Sequence, residues 1–367
     1  MIDSGKISPR QLVFLLVILI VSTELLFLPG FIVQEAAEGA WLSISLGGLF
    51  GAAVVLVVSA LGNRFPDKSI VQFPELIIGK VWGKIIGFLL VTYAFVSSSI
   101  VLREFYELLE SSSMPETPPT VFAVSLIIVA ALAVRAGIEV IARNGELYFM
   151  LAFLITVFLL VLLVKDLRLE NLLPVFGEGY IPVVRGSVHA AGFMGEVVLL
   201  AFLIPNLNRP KEAAKAGLWA VLVTTITLVI VTGFTQGVFG SEITANTIFP
   251  ALALGRFISI ANFLEHLDAF FLVYWVVTVF IKLSLFYYVA VIGTSQLTGL
   301  KEYKALVLPI AVIINTFSFV FFRNTIELLD WLSTAWGPYA ITIEFIIPLF
   351  LLTIVIFREK KPGAVEN

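Results

Sequence analysis

Apolar stretches of roughly 17–25 residues recur along the chain with almost no charge inside them. At a rise of about 1.5 Å per residue, that length carries an α-helix across a hydrocarbon core of about 30 Å. Lipid offers no partner to a backbone amide, so such stretches form helices or a closed barrel. The runs are continuous and do not alternate, which excludes the barrel. Hydrophobic residues make up 59% of the 367 and charged residues 13%. A soluble domain usually carries about 25% charged residues. The fold class expected is therefore all-α and polytopic.

The spans fall at about 11–33, 41–61, 82–103, 119–135, 144–164, 187–205, 214–238, 263–292, 305–322 and 333–357. A shorter segment, 246–258, cannot cross and is expected to lie at the surface or re-enter. The polar connections 165–186 and 239–262 are too small and too apolar for a soluble domain, so residues 1–367 form one membrane domain. The first run follows Lys6 and Arg10 as a signal peptide would. It is too long, however, and ends at Leu28-Pro29-Gly30 without a small-x-small cleavage site, so it is expected to be retained. With the N-terminus inside, cytoplasmic segments hold 16 of the 23 Lys and Arg residues, Lys360 and Lys361 included; outside segments hold 6, and Lys282 lies within a span. That bias places both termini in the cytoplasm.

Two spans carry the pattern of an interrupted helix. The first reads Ser22-Thr23-Glu24-Leu25-Leu26-Phe27-Leu28-Pro29-Gly30. Pro29 lacks an amide hydrogen and pushes Leu28 away from helical geometry, and Gly30 tolerates the angles of a break. The sixth reads Ser187-Val188-His189-Ala190-Ala191-Gly192-Phe193-Met194-Gly195-Glu196, again with glycines and a Glu at depth. Spans one and six open two five-helix halves, about 10–165 and 186–358. Five being odd, the second half enters the membrane inverted. In such folds the ligand sits where two discontinuous helices meet at the midplane, facing half-helix ends.

Lys282 lies roughly 7 Å past the middle of span eight and must pair, snorkel or lose its proton. Its expected partner is Glu24 or Glu196, either as a coupling group or as a plain structural ion pair. Thr278 shares its face at i,i+4, as Tyr93 and Ser97 do on span three; Ser98 and Ser99 suit close helix packing. Glu344, mid-span in helix ten, is a further functional candidate without a nameable partner. Glu265-His266-Leu267-Asp268 suits the capping of span eight, and Trp41, Trp82, Trp331 and Trp336 suit interfacial belts.

Several chemistries are excluded or unsupported. The chain has no Cys and only His189 and His266, so no metal cluster is expected. It lacks a phosphate-binding glycine loop, a paired-His motif and a Gly-x-Ser-x-Gly elbow, so neither a cofactor, a nucleic-acid partner nor an enzyme is indicated.

Three stretches carry a family resemblance. They are Asn171-Leu172-Leu173-Pro174-Val175-Phe176-Gly177-Glu178-Gly179 before span six, Pro205-Asn206-Leu207-Asn208-Arg209-Pro210 after it, and Phe263-Leu264-Glu265-His266-Leu267-Asp268 running into Trp275 and Lys282. Over nearly its whole length the chain resembles the B subunit of bacterial spore germinant receptors, within the amino acid–polyamine–organocation transporter superfamily. That family commonly has Arg where His266 stands. The resemblance implies the ten-helix fold of sodium-coupled amino-acid transporters and residence in the spore inner membrane. It implies a complex with an A subunit and a lipoprotein C subunit that senses nutrients such as amino acids. The pocket it implies runs from Thr23 to Gly30 (Thr23, Glu24, Leu25, Phe27, Leu28, Gly30) and from Gly192 to Val197 (Gly192, Phe193, Gly195, Glu196, Val197). Tyr93, Ser97 and Thr278 would complete it from spans three and eight. Their depth in the membrane, not the resemblance, makes Lys282, Glu24, Glu196 and Glu344 the expected ion-pair or coupling groups. The alternative expectation is a proton-coupled amino-acid transporter or exchanger.

Overall fold

A computed structural model describes residues 3–177, 179–258 and 268–359, and among these there is helix throughout, with one isolated bridge between Ile7 and Leu207. The first span is α1, Pro9–Ala36, set by a capping box. The Ser8 hydroxyl accepts from the Gln11 amide at 3.2 Å while the Gln11 side chain accepts from the Ser8 amide at 2.9 Å. A turn at Ala37–Gly39 leads to α2, Ala40–Arg64; then come α3, Phe73–Ile78, α4, Lys80–Ser112, α5, Pro119–Ala136, and α6, Ile138–Leu163. The sixth span starts as α7, Ile181–Met194, passes through a 3-10 segment, Gly195–Leu199, and resumes as α8, Leu200–Leu203. The remaining helices are α9, Ala213–Phe239, α10, Ser241–Ala245, α11, Pro250–Phe257, and α12, Asp268–Thr298. They are followed by α13, Lys304–Val320, α14, Thr325–Thr334, α15, Trp336–Ile341, a π turn at Thr342–Ile346, and α16, Ile347–Glu359.

Eight helical stretches are long and apolar enough to cross a bilayer, and α13 with α14, bent by 98°, makes a ninth. One of the eight, Pro9–Arg64, has 56 residues and would reach about 84 Å as a single rod. It contains α1 and α2, which both pack on α7 and α9, so the chain doubles back at Ala37 and the passes number ten among the described residues.

The bundle is built around α1 and α12. Every residue of α1 from Ser22 to Gly30 is buried, and α12 is buried along most of its length from Thr278 to Gly293. The outer helices expose Leu, Phe and Val instead, as on α6 at Leu147, Phe153, Leu154 and Val161, which suits lipid. Small residues set the closest approach. Ser43, Gly47 and Gly51 form a stripe on α2. A Cβ at Gly47 would overlap that of Ala190, and the Ser43 hydroxyl donates to the Val183 carbonyl at 2.8 Å. This holds α7 in place and so aims the 3-10 segment beyond it.

Some boundaries differ from the sequence expectation. Span one does not break at Pro29: α1 is α-helical from end to end with Pro29 inside it. A proline removes one amide from a helix, and in a membrane bundle neighbouring elements tolerate that loss. The interruption is confined to span six. Span three, expected to stop at 103, continues to Ser112, and the surface segment expected at 246–258 is helical as α11 only from Pro250 to Phe257. Glu178, the first part of span eight (263–267, with Glu265 and His266), Lys360 and Lys361 lie outside the described residues.

Candidate functional site

Four helices deliver charge to one buried point. Thr23 and Glu24 come from α1, Glu196 from the 3-10 segment of span six, Lys282 from α12 and Glu104 from α4. The Lys282 ammonium donates to Thr23 Oγ1 at 2.9 Å and to Glu24 Oε1 at 2.7 Å. Its third contact, Glu196 Oε2 at 2.8 Å, is an ion pair without hydrogen-bond alignment. Two of the three ammonium hydrogens are thus bonded, to Thr23 and Glu24, and the charge is balanced by both carboxylates. Lys282 and Glu24 are each 1% exposed. Burial of that kind stands only when both charges are paired, and removing one partner is far more costly than never having placed the pair.

Acid outnumbers base here. Glu104 stands beside Thr23, within electrostatic reach of Lys282 and Glu24, and its Oε2 has no partner. Glu344, wholly buried on the π turn, is electrostatically linked to Glu196 and Lys282. Four carboxyl groups therefore share one ammonium. Charge balance in a dry interior asks for protons or cations at the rest.

Glu344 has its own surroundings. The Tyr93 hydroxyl donates to Oε1, while Oε2 lies against Gly195, where any Cβ would overlap it. Tyr93 stacks on Trp336 at 6.0 Å between ring centroids, and Phe193 stands 6.0 Å from the same indole. Gly192 packs directly on the Gly337 backbone, which brings α15 onto span six. The buried Ser97 hydroxyl has no partner, whereas Ser98 and Ser99 bond carbonyls of their own helix at 2.7 and 2.9 Å.

The other candidates from the sequence are scattered. Thr278 gives its hydroxyl to the Trp275 carbonyl at 2.9 Å and, with Ser22, lines an apolar cavity of ≈ 220 Å³ between α1, α6, α9 and α12. Leu25 faces a small apolar void with Leu159 and Phe271; Phe27 and Gly30 line a separate pocket of ≈ 260 Å³ with Gln34, Asn246 and Asp330. Leu28 and Val197 are fully buried in the core.

Sequence reasoning missed Glu104 and misplaced Trp336. Glu104 falls just past the expected end of span three at 103, yet α4 remains buried to Leu109. Its spacing of seven from Ser97 and eleven from Tyr93 puts all three on one stripe, a signal that hydropathy does not carry. Trp336 is interior, 3% exposed, not part of a lipid-facing belt, while Trp82 is 67% exposed as a belt residue should be. Arg103 is also buried. It pairs with Glu107, and its guanidinium donates to the Tyr106 hydroxyl at 3.0 Å and the Phe322 carbonyl at 3.3 Å, a fastening of α4 to the turn that follows α13.

Comparison with known proteins agrees with this architecture. The solved structure of MhsT in complex with L-phenylalanine superposes with a TM-score of 0.66, covering 96% of this chain and 99% of that one at 14% identity. The fold is accordingly the amino-acid-transporter-like one. Spore germination protein KB of Bacillus subtilis (strain 168) is 29% identical over 364 residues, 98% of this chain and 97% of its own. Putative spore germination protein YfkT of the same organism is 27% identical over 350 residues, 95% and 96% of the two chains. The family model described as spore germination protein matches residues 6–326. With most of its length so matched, this chain belongs to the spore germination protein family.

Proposed function

We propose that this protein is the membrane subunit of a nutrient germinant receptor, which binds a small nutrient, an amino acid, midway across the bilayer and so triggers germination. The observation that carries it is the meeting of Lys282, Glu24 and Glu196 on three helices, next to buried polar atoms without partners on Glu104, Glu344 and Ser97. A bundle with no ligand to meet would gain by replacing such groups with apolar ones. Thr23, Glu24, Gly195, Glu196, Tyr93 and Ser97 form the nearer lining of the pocket, and Lys282 couples its occupancy to the seating of α1 on span six. The two halves, about 10–165 and 186–358, act as inverted repeats. The termini face the cytoplasm, the membrane is the inner one of the spore, and the partners are an A subunit and a lipoprotein C subunit.

A second reading, a proton-coupled amino-acid transporter, is favoured by the shared fold and by the excess of buried carboxyls. One pair of measurements separates the two. Spores lacking only this chain are expected to lose germination on at least one single L-amino acid, followed as the fall in optical density on hydration. Liposomes holding the purified chain are expected to accumulate no labelled amino acid. Normal germination of the deleted spores on every amino acid would refute the receptor, and uptake into the liposomes would establish the transporter.

A further inference from the structure

On the reading above that the midplane holds a small nutrient, we propose that Glu344 is the group that recognises the ligand's ammonium, so that the ligands of this chain are primary amines with an acceptor close by. Glu344 is 0% exposed. The helix departs from α geometry at Thr342–Ile346, a π turn of the kind that often marks a functional position. One carboxyl oxygen is held by the Tyr93 hydroxyl and the other has no partner. A buried acceptor left open is costly, more so when charged, and such a cost persists where a ligand relieves it.

Among the described residues no side chain hydrogen-bonds that second oxygen. Lys282 is engaged elsewhere: it donates to Thr23 and Glu24, and its charge is also paired with Glu196. The flanking side chains are the rings of Tyr93, Trp336 and Tyr339, with 6.0 Å between the Tyr93 and Trp336 centroids and 6.0 Å between Trp336 and Tyr339. Aromatic faces repel a bare carboxylate and attract an ammonium. The cluster also holds a donor without an acceptor, the Trp336 indole nitrogen. Gly192 lies beside Trp336 and Gly195 beside Glu344, one helical turn apart on the same face of span six, about 5–6 Å. An open acid and an open N–H set beside successive positions of one helix face suit the two ends of an α-amino acid, the ammonium at Glu344 and the carboxylate at Trp336.

The test uses the purified full chain in detergent and saturable thermal shifts. The probes are the common L-amino acids, the matching amines without a carboxylate (ethylamine for alanine, isobutylamine for valine, phenethylamine for phenylalanine) and the matching acids without an amine (propionate, isovalerate, 3-phenylpropionate). The expected result is binding of at least one amino acid, weaker binding of its amine and none of its acid. Glu344→Gln should then weaken amino acid and amine alike by at least about tenfold. Trp336→Phe should weaken the amino acid and spare the amine. Should Glu344→Gln not fold, the amine-against-acid comparison on the parent chain decides alone. Equal binding of the deaminated acid, or of the amino acid to a folded Glu344→Gln, would overturn the role of Glu344 and leave the nutrient site standing. A parent chain shifted by none of the probes would overturn both.

Discussion

Lys282→Met is expected to cost the fold about 3–5 kcal/mol, because it leaves the Glu24 and Glu196 carboxyls buried without their shared cation. Methionine fills the space, so the loss is one of charge and hydrogen bonding rather than of volume. Lys282 is also the link between α12, α1 and the interrupted part of span six, so its removal should loosen three helices together. In detergent the midpoint of thermal unfolding should fall steeply. The triple change Lys282→Met, Glu24→Gln, Glu196→Gln should recover much of the deficit, since a buried ion network replaced as a whole is often close to neutral. A single Lys282→Met chain as stable as the parent would show that the ammonium is not what neutralises these acids.

Gly195→Ala should be nearly as damaging for one added methyl group. The new Cβ would overlap Glu344 Oε2 and press on the Glu344 Cβ at 3.2 Å. The carboxyl must then leave the Tyr93 hydroxyl, or the π turn that carries Glu344 must back away from span six. Overpacking costs about 1–3 kcal/mol and the lost hydrogen bond about 1 kcal/mol more. Adding Glu344→Ala makes room for the methyl group and should restore the unfolding midpoint, while the thermal response to amino acids stays lost. Recovery of that response in the double variant would remove Glu344 from the site.

The fold was largely legible because lipid leaves a chain so few solutions: long apolar runs become helices, and their number and spacing follow from hydropathy. The depth of Glu24, Glu196 and Lys282 was legible for the same reason, since charge in an apolar run is conspicuous. Their convergence was not, because the runs do not say which helices touch. Glu104 and Arg103 were hidden by the reverse effect. A helix that stays buried while turning polar looks, to hydropathy, like a helix that has reached water. Trp336 was placed in a belt because aromatics near span ends usually are, and only the packing of Gly192 on Gly337 shows that this end is folded inward. Pro29 reads as a helix breaker for its missing amide hydrogen and its push on Leu28, whereas α1, buried from Ser22 to Gly30, stays helical through it.

The absence of cysteine from the chain allows one thiol to report on the proposed pocket. Ser97→Cys puts it at a buried position one turn from Tyr93, where the native hydroxyl has no partner. The measurement is the rate at which 2-aminoethyl methanethiosulfonate labels that thiol, with and without a saturating mixture of L-amino acids. A nutrient held among α1, α4 and span six predicts labelling that the mixture slows several-fold. Labelling at one unchanged rate in both conditions would contradict it.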